Sequence, residues 1–139
     1  MKYTLCFLLL LLCLSCQKQN TQPDNEPKVD VSKIYGKWDW IGSSGGIAGM
    51  TYTPNSEHQT RMLTITNDNN IYSYTNGNLI TRKQFTVGKG KSYLTGDTAY
   101  IIHYIPDSFD DVILKAKNDT LVLANDGADG FTSGYVKHK

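Results

Sequence analysis

The sequence predicts an all-β protein, an antiparallel up-and-down meander of about eight strands that comes after a signal peptide and a linker. Three observations predict it. Nine tyrosines, twelve glycines and many threonines, with no long stretch of Ala, Leu, Glu and Lys, favour sheet over helix. Short apolar and alternating runs recur from residue 34 onward, separated by turns rich in Asn, Asp and Gly. The links between them are mostly short and none reads as a crossover helix, so sequential antiparallel pairing is the economical topology. About eight strands is the number at which a closed barrel is either filled by side chains or holds one small ligand. Two packed sheets are the alternative, because alternation alone does not report closure.

Residues 1–15 read as a secretory signal: Met1-Lys2, an apolar block from Leu5 to Leu14, and the small Ser15. The block is shorter than the roughly 20 apolar residues that span a bilayer. Leu14-Ser15-Cys16 resembles the bacterial lipobox, with Cys13 where that pattern usually has leucine. The resemblance makes Cys16 the lipidated first residue of the mature protein, anchored to the membrane and not spanning it. Cys6, Cys13 and Cys16 are the only cysteines, so the folded part has no disulfide framework and no thiol chemistry. Residues 16–33 are polar and carry Pro23 and Pro27, the composition of a disordered linker. The barrel domain is expected over residues 34–139. With Lys2 removed, 13 basic residues face 13 acidic ones in the mature chain. That balance argues against nucleic acid or a polybasic membrane footprint.

The first strand is Ile34 to Ile41, which holds both tryptophans. Period-2 alternation puts Gly36, Trp38 and Trp40 on one face, taken as the inner one. Two buried indoles of roughly 150–250 Å² each bring on the order of 8–12 kcal/mol of gross apolar transfer. Residues 42–54 are glycine-rich and read as a loop or an extra strand at one end of the barrel. From residue 61 the meander runs Arg61–Thr66, Ile71–Thr75, Leu79–Val87, Tyr100–Ile105, Val112–Lys117, Thr120–Ala124 and Phe131–Lys137. Tyr93 and Leu94 suggest a further short strand. Asn76-Gly77 is a strong hairpin signal, since both residues tolerate positive φ, and Asn118-Asp119 is a second.

Gly36-Lys37-Trp38 resembles the Gly-x-Trp signature of the lipocalins. The longer set Gly36 to Trp40, Ser44 to Gly49, Thr51 to Pro54, Asn76 to Ile80 and Asp129 to Phe131 resembles the small lipocalin-like lipoproteins of Bacteroidota, over roughly residues 34 to 137. That resemblance implies a lipocalin-like barrel and a cell-envelope address, lipid-anchored at the outer membrane on its periplasmic face or at the cell surface. It also implies that Gly36 and Trp38 form the barrel-floor motif, with Trp38 beneath a basic residue from a late strand, for which Lys137 is the candidate. The chain is shorter than true lipocalins and has no recognisable C-terminal helix.

His58, His103 and His138 are scattered, with no partner at metal-ligand spacing, and no Gly-x-Ser-x-Gly elbow is present, so no catalytic residue, metal or cofactor is expected. Asp107, Asp110 and Asp111, and Asn125, Asp126 and Asp129, cluster without the spacing of a calcium loop and read as ordinary turns. Candidate ligand contacts are Trp40, Tyr52, Tyr72, Tyr74, Phe85, Tyr100 and Tyr104, aromatic side chains suited to a pocket that takes an apolar molecule and fixes its head. Plain core packing is the competing reading. Two functions are compatible with these features. One is a binding protein holding a small apolar or amphipathic ligand in the barrel; the other is a protein-interaction module, an envelope inhibitor or accessory subunit, with a filled barrel and contacts through its loops.

Overall fold

The computed structural model describes residues 29–106 and 109–139. The signal peptide, Cys16, the linker as far as residue 28, and Asp107 lie outside the described residues. Val29 forms a parallel bridge with Ala116, and the Asp30 amide donates to the Ala116 carbonyl at 3.0 Å. Asp30 then caps a 3₁₀ turn, Val31–Lys33, by accepting from the Ser32 amide at 3.0 Å. Residues 29–33, linker-like in composition, are therefore packed on the barrel.

The strands are β1 (Gly36–Gly45), β2 (Met50–Tyr52), β3 (Arg61–Ile65), β4 (Asn70–Thr75), β5 (Asn78–Lys91), β6 (Thr98–Ile105), β7 (Asp111–Lys117), β8 (Thr120–Asn125) and β9 (Phe131–Lys137), with one helical turn, α1 (Pro54–Glu57), between β2 and β3. Each pairs antiparallel with its neighbour in the order β2-β1-β3-β4-β5-β6-β7-β8-β9, and β9 returns to pair with β1. Eight strands thus close a barrel, and β2 is an extra strand on the far end of β1. Closure removes the free edges that a sandwich would leave. The turns sit where their residues allow: Asn76 and Gly77 have φ of 50° and 79°, and Asn118 has φ of 53°.

Three one-residue insertions alter the register. Trp40 faces Tyr135 and Gly42 faces Gly134, so Ile41 is the extra residue in β1. Ile80 is extra in β5 and Leu114 in β7. Each bulge reverses the inside-outside phase of the residues beyond it on its strand. In β1 this turns Ser43 inward, opposite Ser133. The strand expected to end at Ile41 continues to Gly45, and the one expected to end at Val87 continues to Lys91. Tyr93 and Leu94 form no strand; they lie in the β5–β6 turn, which is fixed to Asp126 through Ser92 Oγ (2.9 Å) and the Leu94 amide (2.8 Å).

The lower half of the barrel is solid. Trp38, Phe85, Ile34, Ile65, Ile102, Ile113 and Leu121 are almost wholly removed from solvent and belong to one interior cluster. A second apolar row, Ile101, Val112 and Ala124, lies in register across β6, β7 and β8 and is buried outside that cluster, on the side where the β5–β6 turn is tied down. Among the described residues no helix is long and apolar enough to cross a membrane.

Candidate functional site: a polar cup above a sealed floor

Gly36, Trp38 and Lys137 meet at the closed end. Trp38 and Lys137 are register partners across the β1–β9 seam that closes the barrel. Lys137 Nζ lies 4.2 Å from the Trp38 ring centroid and donates to the Tyr35 carbonyl at 2.7 Å. The indole Nε1–H donates to the Ile34 carbonyl at 2.6 Å, so the buried ring leaves no polar atom unpaired. Gly36 has φ of +125°, and a Cβ there would lie 2.5 Å from Lys137 Nζ. Glycine is required both by its own backbone and by the ammonium above it.

The opposite half is hollow. A cavity of about 360 Å³ is walled by Leu63, Ile71, Ser73, Thr81, Lys83, Tyr104, Asp111, Leu123, Asn125 and Tyr135, with Phe109 at its edge. A recess of about 150 Å³ shares Leu63, Ser73 and Tyr135 with it and adds Trp40, Ser43, Arg61, Met62, Tyr74, Thr75, Ile80 and Ser133. Alternation explains the lining, because Thr81, Lys83 and Phe85 share a phase, as do Tyr104 and Ile102, and Leu123 and Asn125. The larger space sits at the low end of the roughly 300–1,000 Å³ range of small-molecule sites. A hollow of about 600 Å³ at the floor end, between residues 29–33 and Tyr100, Lys117 and Asn118, is the groove beside the incoming chain and does not reach the interior cup.

Asp111 is the centre of the cup's polar wall. One carboxylate oxygen accepts from the Tyr104 hydroxyl at 2.6 Å and the other from the Asn125 amide at 2.7 Å, while Asn125 Oδ1 accepts from the Phe131 amide at 3.1 Å. Burial pushes the Asp111 carboxyl above the ordinary aspartate range, and Asp110 adds to the rise; the bonds from Tyr104 and Asn125 and the charge of Lys83 pull the other way without cancelling it. Burial, with Asp111 beside it, drives the Tyr104 phenol far up. Burial raises Tyr135 to about 12. Lys83 Nζ lies 5.0 Å from the Tyr104 ring centroid. At the rim, the Arg61 guanidinium stacks 4.5 Å from the Trp40 ring and pairs with Glu57 at 3.3 Å, and the Trp40 indole donates to Ser43 Oγ at 2.8 Å.

The seven candidate contacts separate. Tyr104 lines the cup, and Trp40 and Tyr74 line the recess. Phe85 is sealed in the interior cluster. Tyr100 lies at the floor end, with Lys89 Nζ 4.9 Å from its ring centroid. Tyr72 is covered by Arg82, 5.5 Å from its centroid, and Tyr52, on β2 outside the eight-strand barrel, packs on Phe131 of β9. The polar wall, Asp111, Lys83, Asn125, Ser73, Thr81 and Tyr135, is not singled out by composition. Its signal is the phase: Lys83 stands two before Phe85, and Asp111 two before Ile113. Of the aspartates read as turn residues, Asp111 enters the cup, Asp110 pairs with His103 at 2.7 Å, and Asp126 holds the β5–β6 turn. Among the described residues no three of His, Cys, Asp and Glu gather as they would around a metal ion. Compared with family models, with curated proteins and with solved structures, the chain matched none.

Proposed function

We propose that this protein is a lipid-anchored, lipocalin-like binding protein of the cell envelope, tethered at Cys16 to the outer membrane, that holds a small amphipathic molecule in the cup. The observation that carries this reading is the division of the barrel: a core packed solid around Trp38 on one side, and on the other a cavity of about 360 Å³ with apolar walls and a few fixed polar groups. Val29, the first described residue, bridges Ala116 near the floor, at the end of the barrel away from the cup.

Titration with N-phenyl-1-naphthylamine, a neutral apolar fluorophore, tests the cup. Saturable enhancement is expected in the native protein and its loss in Ser73→Phe, whose ring would occupy the cavity between Leu63 and Thr81. An unsaturable signal, or an equal one in Ser73→Phe, overturns the reading. The anchor is tested separately: Cys16→Ala should leave the membrane fraction, and a variant that stays there rules out Cys16 as the anchor.

A protein-interaction module is the second reading, favoured by one observation. Ile47, Phe109, Ile80 and Leu79, at the connections of the open end, are exposed by 91%, 86%, 60% and 54%. In-cell cross-linking that captures a defined partner through these loops, and loses it when Ile47 and Phe109 become serine, would put this reading first.

A further inference from the structure

One corner of the cup's polar wall, where Tyr104, Asp111 and Asn125 meet, presents chiefly acceptors to the cavity. Tyr104 commits its only proton to Asp111, so its phenolic oxygen has just lone pairs to offer. An ionised carboxylate has about four acceptor positions. Tyr104 and Asn125 take one on each oxygen of Asp111, which leaves further acceptor positions on a residue that lines the cavity. Asn125 gives one of its two amide hydrogens to Asp111 and accepts the Phe131 amide on its carbonyl. Lys83, Ser73, Thr81 and Tyr135 bring donors to the same wall, and Lys83 Nζ lies 5.0 Å from the Tyr104 ring centroid, so the surplus of acceptors is confined to this corner. A molecule entering the cup and displacing water must bring donors to these oxygens or leave them unpaired, which is costly.

We propose that the ligand of the cup carries a donor-rich cationic head, a primary ammonium, seated against Asp111 and the Tyr104 oxygen, with its apolar body on Leu63, Ile71 and Leu123. An ammonium has three donors in a compact point charge, which matches acceptors on two adjacent side chains. The tyrosine rings at positions 104 and 135 supply the aromatic surface that cations favour. Seated in that corner, a carboxylate head of the same length would bring acceptors to acceptors and a like charge to Asp111, and its donors would have to come from Lys83 or the wall hydroxyls instead. This inference rests on the binding reading above and goes beyond it only in the class of head group.

Calorimetric titration of the native protein with octylamine, octanol and octanoate at neutral pH separates the two. Octylamine is expected to bind at least tenfold more tightly than either of the others. Asp111→Asn should erase that preference by weakening octylamine to the level of octanol or below, and Tyr104→Phe should weaken octylamine severalfold with Asp111 in place. Octanoate binding as well as octylamine, or an unchanged preference in Asp111→Asn, overturns the head-group assignment and leaves the cup reading standing. Failure of all three to bind overturns both. Should Asp111→Asn not fold, the ranking in the native protein decides alone.

Discussion

Gly36→Ala isolates the floor lock. The methyl group imposes two costs. The first is backbone: φ of +125° is a conformation that side-chain-bearing residues occupy at about 1–3 kcal/mol. The second is displacement of Lys137, whose Nζ would lie 2.5 Å and whose Cε would lie 3.0 Å from the new Cβ. Nζ is the far end of a flexible chain and would ordinarily move at little cost, but here it is held by the Tyr35 carbonyl and by the Trp38 ring. A charge-assisted hydrogen bond and a cation–π contact are together worth about 2–4 kcal/mol, of which a half-buried ammonium regains part from water. The sum is roughly 2–5 kcal/mol, a large share of the roughly 5–15 kcal/mol typical of a domain. Urea denaturation followed by tryptophan fluorescence measures it. In a Lys137→Met background the second cost is already incurred, so Gly36→Ala should then lose only the backbone share, giving a coupling of about 1–2 kcal/mol between the sites. Equal losses in both backgrounds, or a loss below about 1 kcal/mol in the native one, would refute the lock.

Asp126→Ala removes both bonds that hold the β5–β6 turn and leaves the buried Ser92 hydroxyl without its acceptor; amide exchange should accelerate over residues 92–97, and stability should fall by about 1–3 kcal/mol. In a spectrophotometric tyrosine titration, Tyr104 and Tyr135 should stay protonated above the ordinary phenol value of 10.0. Both phenols are raised by folding, so their contribution is intact below about pH 10 and is lost as pH climbs toward 12, where alkaline unfolding should coincide with their ionisation. Asp111 is raised as well, so the native state holds its proton longer than the unfolded chain; stability falls as pH rises from the ordinary aspartate value of 3.8 through the higher native one and is flat above it. Asp111→Asn should remove that slope in the stability-versus-pH curve, while lowering the whole curve by about 1–3 kcal/mol because one acceptor oxygen replaces the two that serve the Tyr104 hydroxyl and the Asn125 amide.

The meander was legible because its signals are local. Asn76-Gly77 and Asn118 announce turns through φ alone, and the phase of Trp38 and Trp40 places the inner face of β1. What was illegible is non-local or depends on a single inserted residue. Nothing in Trp40-Ile41-Gly42 states that Ile41 is skipped in the pairing with β9, yet that skip alone turns Ser43 into the barrel to bond Ser133 at 2.7 Å and to receive the Trp40 indole. The continuation of β5 past Gly88 and Gly90 ends in a turn fixed by Asp126, 34 residues away from Ser92. Aromatic character over-selected the site for the same reason. Tyr52, Tyr72 and Tyr100 carry the right chemistry in the wrong places, whereas Asp111 and Lys83 look like surface charges until their phase is set by Ile113 and Phe85.

The two ends of the barrel handle buried charge in opposite ways, and the contrast bears on function. At the floor the half-buried cation of Lys137 is satisfied twice over, by a carbonyl and by an aromatic face, and sits above a packed core. Such an arrangement closes the barrel and leaves nothing for a ligand to do. In the cup the carboxylate of Asp111 is satisfied only in part: two bonds fix its orientation, burial still penalises its charge, and the space in front of it is empty of protein atoms. Replacing a whole buried ion pair by apolar residues is commonly neutral or stabilising for a fold, but removing Asp111 alone would strand the Tyr104 hydroxyl and the Asn125 amide. Stability accounts for those two bonds; the acceptor positions that remain toward the cavity are what the proposed cationic head would use.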